Sequence, residues 1–166
     1  VESCLQGIAP HRLQGQVAAV HAYVAGVRGD VDRAIELAEQ ALEHLPEDNF
    51  VLRAIVTQNL GVAYYWSGAP AAAVRSLTEA VRLSRTANQT FQSLTAMAIL
   101  GRAQEMQGAP RQAAETYRQA LALAQVGSRP VPFAGMAHVG IAGPHYEWND
   151  LEGAMRHAQE GIRLSA

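Results

Sequence analysis

The chain of 166 residues contains no lysine and only one cysteine. All thirteen basic residues are arginine, which excludes a phosphate-loop lysine, a Schiff-base lysine and a lysine general base within this chain. Because Cys4 stands alone, an internal disulfide is excluded, and the reducing cytoplasm is the expected location. No apolar run has the length of a membrane span, and no signal-peptide pattern opens the chain.

Charged residues are also scarce. They make up 17% of the chain and leave a net charge of −2, so there is no basic footprint for direct nucleic acid binding and no polybasic membrane patch. Hydrophobic residues reach 49%, which argues against disorder and favours a tightly packed, alanine-rich helical protein. The length suffices for one domain with a sizeable core.

A helix-turn-helix pattern recurs four times along the chain. Each copy has Gly or Asn at its turn, at positions 29, 68, 108 and 149, with small residues seven before, five after and twelve after. Glycine tolerates the left-handed backbone that ends a helix, and small residues let a neighbouring helix pack closely. The turn positions are 39, 40 and 41 residues apart, and a fixed period of this kind predicts a solenoid in which each unit buries its face on the next.

We therefore predict an all-α fold, a right-handed superhelical solenoid of about eight helices in antiparallel pairs. It forms one domain over 1–166, with pairs at about 10–45, 48–86, 89–126 and 132–165. Asp48 is expected to cap the third helix, and Asp150 to lie in the first turn of the eighth. Pro144 falls inside the seventh helix, where proline removes a backbone hydrogen bond. The helix either kinks there or is interrupted near 140–143, and we expect a kink.

Two runs in the last repeat are more specific than the repeat pattern. They are Ala-Gly-Met-Ala-His-Val-Gly at 134–140 and Tyr-Glu-Trp-Asn-Asp-Leu at 146–151. With these runs, with Leu60-Gly61 and Tyr64, and with Arg-Gln-Ala-Leu at 118–121, the chain resembles the tetratricopeptide-like domain of the large MalT-like, LuxR-type transcriptional regulators. The resemblance covers nearly the whole chain.

In that family the helical repeats stand between a nucleotide-binding module and a helix-turn-helix module. The resemblance therefore implies a domain excised from a larger regulator, with no cofactor of its own and with ATP on a separate domain. It implies an effector-sensing or protein-interaction domain of a bacterial activator, which binds a small inducer or a regulatory protein in the concave groove and contacts neighbouring domains. The alternative is a general tetratricopeptide scaffold that binds a peptide or protein without any small inducer.

The first helix of each pair lines the concave surface of such a solenoid. Side chains one helical step from the packed stripe are predicted to face the groove, where rings, amides, an arginine and carboxylates could hold a small polar molecule or a peptide. The candidate binding residues are Gln58, Asn59, Tyr65, Trp66, Arg102, Glu105, Tyr146 and Glu147.

Each candidate also has an ordinary structural interpretation. Tyr65 and Trp66 could be packing residues, and the two amides could satisfy a neighbouring helix end. Arg102 and Glu105 could simply pair on the surface, which stabilises a helix by only tenths of a kcal/mol. Glu147 could hold the turn that follows it.

No catalytic or metal site is expected. His138 and His145 lie seven residues apart on one helix, about 10 Å along its axis, which is too far for a shared zinc ion. They are interpreted as satisfied or solvated histidines. The last helix leaves Met155, Ile162 and Leu164 uncovered, and we predict that this face packs against another molecule, self-association included.

Overall fold

A computed structural model describes residues 10–124 and 133–165, and these residues form eight helices and no strand. The helices are α1 (Pro10–Val27), α2 (Val31–His44), α3 (Phe50–Trp66), α4 (Pro70–Thr86), α5 (Thr90–Met106), α6 (Pro110–Ala124), α7 (Phe133–Glu147) and α8 (Leu151–Ser165). The predicted all-α fold and helix pairs are confirmed. The loop predicted at 127–132 lies outside the described residues. None of the described helices is both long and apolar enough to cross a bilayer.

The four predicted turn residues all have a left-handed backbone. Their φ angles are 79° at Gly29, 75° at Gly68, 73° at Gly108 and 59° at Asn149. A residue with this conformation ends a helix, and glycine adopts it without a steric penalty. The repeating Gly and Asn positions therefore set the ends of α1, α3, α5 and α7.

Two predicted helix starts were wrong by one residue. Asp48 does not cap α3; the helix begins at Phe50, so the cap is Asn49, whose side chain accepts a hydrogen bond from the backbone nitrogen of Leu52 at 3.2 Å. Asp150 precedes α8 rather than lying in its first turn, and it accepts from the backbone nitrogen of Gly153 at 2.9 Å. In both cases the side chain satisfies an otherwise unpaired helix N–H.

The chain divides into two compact units, residues 1–87 and 88–166. The first contains α1 to α4, and its core is rich in alanine, with Ala38 and Ala41 completely buried beside Leu37 and Val56. The second contains α5 to α8, where Tyr117 is buried together with Ala113 and Ile141. The prediction of a single domain stays a prediction.

Glycines in both units accept a large side chain from the paired helix. In the first unit, a Cβ at Gly61 of α3 would lie 2.6 Å from Cγ of Leu77 in α4. In the second unit, the ring of Tyr117 in α6 occupies the space of a Cβ at Gly101 in α5, and it lies 2.5 Å from a Cβ at Gly140 in α7. Only hydrogen in place of a side chain allows these contacts, so the three glycines are packing requirements.

The same two positions can be identified in the other two repeats. Leu77 and Tyr117 each lie 16 residues after their glycine. At the matching positions the first repeat has Ala22 and Ala38, and the fourth has Ala142 and Ala158. A glycine is thus paired with a large residue, and an alanine with an alanine.

Pro144 is fully buried inside α7, which runs without interruption from Phe133 to Glu147. The predicted alternative of an interrupted helix is therefore excluded, while the kink stays a prediction. Proline has no backbone N–H, so the carbonyl of Gly140 lacks its usual helical donor four residues later.

Three histidines gather where α7 packs on α8. Nδ1 of His138 lies 3.0 Å from Nδ1 of His157, and the rings of His145 and His157 stack with centroids 5.3 Å apart. Nδ1 of His145 lies 2.7 Å from Oδ2 of Asp150. Within 10–124 and 133–165, no three or more His, Cys, Asp or Glu side chains are arranged to hold a metal ion.

The His138–His157 contact needs one nitrogen to donate and the other to accept, so two protonated rings would oppose each other. Burial lowers the pKa of His138, against a smaller opposing effect from Glu160. Burial also lowers the pKa of His157, and the neighbouring histidines, Arg156 and Arg118 lower it further. The lowered pKa values favour the neutral form of both rings.

The glycine contacts predict that Gly101→Ala destabilises the chain, because the added methyl overlaps the buried ring of Tyr117. We expect a loss of about 1–3 kcal/mol in the free energy of unfolding, measured by urea titration. Gly26→Ala is the control, since its Cβ would lie 3.9 Å from Cβ of Ala34, an ordinary contact. The control should be neutral or stabilising by up to about 1 kcal/mol. Equal effects at the two positions would contradict the packing account.

The histidine cluster predicts that acid weakens the fold. A histidine with a lowered pKa in the folded state binds protons more readily when the chain is unfolded. Its full contribution to the free energy of unfolding is therefore present above the unfolded pKa of 6.5 and is lost as the pH falls below that value. We expect the urea midpoint to fall between about pH 7.5 and 5.5, and His157→Gln to reduce that fall. The exposed His21, changed to Gln, is the matched control, and an equal reduction there would refute the prediction.

Candidate functional site

The first unit carries a cleft formed by α1, α2 and α3, with a volume of about 190 Å³. Its walls are mostly apolar, and its large rim side chains are exposed: Tyr23 is 58% exposed, Val27 71% and Trp66 68%. Asn59 is the amide among its lining residues, and the remaining lining residues are Ala22, Gly26, Val31, Ala34, Val62 and Ala63. This combination can receive an apolar group and hydrogen-bond a polar one beside it.

Two of the four candidate residues on α3, Asn59 and Trp66, line this cleft. Tyr65 supports it from the side, because its ring packs edge-on against Trp66 with centroids 5.3 Å apart. Gln58 is partly buried on the same helix but does not line the cleft. Their role in binding stays a prediction.

Tyr64 holds the helices next to the cleft in place. Its ring packs against the core of the first unit, and its hydroxyl donates to Oε1 of Glu39 on α2 at 2.7 Å. This hydrogen bond is the main cause of the raised pKa of Tyr64. Tyr64 therefore joins α2 to α3.

The second unit carries a larger pocket of about 380 Å³, formed by α5, α6 and α7. Arg102 and Glu105 from α5 supply its charges, and the phenol of Tyr117 belongs to its wall. Its apolar and glycine lining consists of Ala98, Met136, Val139, Gly140 and Gly143. Both candidate residues on α5 are thus brought together in one pocket.

Glu105 is the partly buried charge of this pocket. Burial raises the pKa of its carboxyl, and the negative charge of Glu147 raises it further. The positive charge of Arg102 lowers the pKa to a smaller extent, and so does the nearby hydroxyl of Tyr117. Of the two candidates on α7, Glu147 therefore acts on the pocket electrostatically, whereas Tyr146 is 70% exposed and does not line it.

Sequence reasoning missed Tyr23 and Tyr117 as site residues. Tyr117 had a signal, because it stands 16 residues after Gly101, as Leu77 does after Gly61. Tyr23 had none, since its place beside Trp66 depends on how α1 packs on α3.

Solved structures of low sequence identity share this fold. BtubC (BKLC) from P. vanneervenii has a TM-score of 0.83 at 16% identity, over 95% of this chain and 65% of that protein. MamA has a TM-score of 0.73 at 17% identity, over 90% and 77%. The apo form of RapI has a TM-score of 0.84 at 13% identity, over 99% and 60%. The chain thus spans less than two thirds of BtubC and of RapI, and these identities show the fold alone.

No curated protein matches the chain. The model of the MalT-like TPR region matches residues 15–166, which is nearly the whole length. The match confirms the resemblance drawn from the runs at 134–140 and 146–151, and the repeat fold it describes is a scaffold rather than a catalytic type. The chain belongs to the MalT-like TPR family.

Proposed function

We propose that this chain is the recognition domain of a cytoplasmic, LuxR-type transcriptional activator, and that it binds a segment of a partner protein. The observation that carries the proposal is the exposed apolar cleft of the first unit, with Tyr23 and Trp66 on its walls. Family membership supports the regulatory setting. Helical repeats offer extended binding surfaces of this kind. The domain itself carries no catalytic activity in this proposal.

The size of the cleft favours a protein segment over a free small molecule. Its volume of about 190 Å³ is below the range of about 300–1,000 Å³ that is usual for small-molecule pockets. Exposed aromatic side chains beside a pocket are typical anchor points of protein interfaces. The Asn59 amide can pair with a backbone N–H or C=O of an extended segment laid across the cleft.

Binding would regulate by differential affinity. A partner that binds one conformation of the larger regulator better than another shifts the regulator toward that conformation. The neighbouring domains of the same regulator then respond to the binding of the partner to the repeat domain.

A small inducer is the second candidate ligand, and the pocket of the second unit favours it. At about 380 Å³ this pocket is within the small-molecule range, and it combines charged, phenolic and apolar groups. The two proposals concern different surfaces, so each can be tested alone.

The cleft predicts that short peptides selected from a random library bind through Trp66. Trp66→Ala should weaken binding by at least about tenfold, which corresponds to 1.4 kcal/mol. The substitution should change stability by no more than about 0.5 kcal/mol, because the side chain is 68% exposed. Fluorescence polarisation of labelled peptides measures the dissociation constants.

Phe91→Ala is the matched control, since Phe91 is an exposed aromatic on α5, 61% exposed, and is not part of the cleft. With Trp148→Phe as background, Trp66 is the remaining tryptophan, and its emission should shift to the blue on binding. Selected peptides that bind the Trp66→Ala chain as tightly as the wild type would refute the proposal.

A further inference from the structure

The pocket of the second unit places opposite charges side by side. Arg102 and Glu105 are three residues apart on α5, so they are neighbours on one face of the helix, and both line the pocket. Glu147 follows Gly143 by one turn of α7 and acts on Glu105 through its charge. The pocket thus offers one cation and a more strongly negative region next to it.

Access to the carboxylate of Glu105 depends on Gly143. A Cβ at this position would lie 3.4 Å from Oε1 of Glu105, so a larger side chain would cover the carboxylate. Glycine is otherwise a poor choice inside a helix, where it costs up to about 1 kcal/mol relative to alanine. The pocket therefore stays open at the atom that carries the negative charge.

The remaining walls are apolar. Ala98 is buried, while Met136 and Val139 are 49% and 54% exposed and have no charged group. A ligand that fits must carry both charges close together and an apolar part next to them.

We propose that this pocket binds a free α-amino acid with an apolar side chain, of the size of leucine or methionine. The ammonium group pairs with Glu105, under the added attraction of Glu147, and the carboxylate pairs with Arg102. The apolar side chain lies against Met136 and Val139. Charge-assisted hydrogen bonds of this kind are about twice as strong as neutral ones, and an arginine can hold a carboxylate through two N–H groups.

This inference deepens the second candidate function and rests on it, because it names the chemical class of the inducer. It can fail independently of the cleft, whose test uses peptides and Trp66. Loss of amino acid binding with intact peptide binding would remove only the pocket proposal.

The first test is NMR titration of the full chain with L-leucine, following the backbone amides of Ala98, Gly140 and Gly143. We expect saturable shifts at about 10 mM ligand or below. L-leucinamide lacks the carboxylate and N-acetyl-L-leucine lacks the ammonium group, so each should bind at least about tenfold more weakly. The absence of shifts with leucine, methionine and valine, or equal binding of either blocked compound, would overturn the proposal.

The second test changes one charge at a time. Arg102→Gln should remove the preference for leucine over leucinamide, and Glu105→Gln should remove the preference for leucine over N-acetyl-leucine. If Arg102 and Glu105 had only structural roles, the two substitutions would not each remove one specific ligand preference. Glu152→Gln is the control, because it removes an exposed carboxylate of α8 that does not line the pocket. Unchanged preferences in both pocket variants would overturn the assignment.

Gly143→Leu gives an independent check that leaves all charges in place. Leucine is a better helix former than glycine and the position is exposed, so the chain should remain folded. The side chain should cover Glu105 and weaken leucine binding by at least about tenfold. Wild-type affinity in this variant would contradict the proposed binding position.

Discussion

A large side chain that packs on a glycine determines how the helices approach each other in both units. Leu77 fills the space that Gly61 leaves open, and Tyr117 occupies the space beside Gly101 and Gly140. Such contacts tolerate no additional carbon atom, since protein interiors are packed as densely as organic crystals. Repeats without a glycine at this position have alanines at both positions. The repeats therefore fill these two positions in two ways, with a glycine against a large side chain or with two alanines.

This packing also builds the pocket of the second unit. The ring of Tyr117 is held between glycines of two helices, and it lines the pocket together with Glu105. The same ring thus connects the core to the charged part of the site. In the first unit, Tyr64 has a comparable place, with its ring against the core and its hydroxyl on Glu39. In both units a tyrosine that packs on the core thus lies next to a carboxylate of a candidate site or of a neighbouring helix.

Helix positions could be predicted because their limits are local. Gly68 or Asn149 ends a helix through its own backbone conformation, whatever its neighbours do. Helical periodicity predicts that Asn59 and Trp66 share a face of α3 and that Arg102 and Glu105 share a face of α5, and each pair does line one cavity. Contacts between helices could not be predicted, so Tyr23 and His157 were missed. The cap at Asn49 was misplaced because Asp48 beside it is an equally good capping residue, and only the three-dimensional structure decides between them.

A double-mutant cycle on Gly101 and Tyr117 tests the packing account most directly. Gly101→Ala, Tyr117→Ala and the double variant would be compared with the wild type by urea unfolding. We expect the added methyl to be costly only when the ring is present, so the two changes should couple by about 1–3 kcal/mol. The double variant would then reproduce the alanine pair at positions 22 and 38. Additive effects, within about 0.5 kcal/mol, would contradict the account.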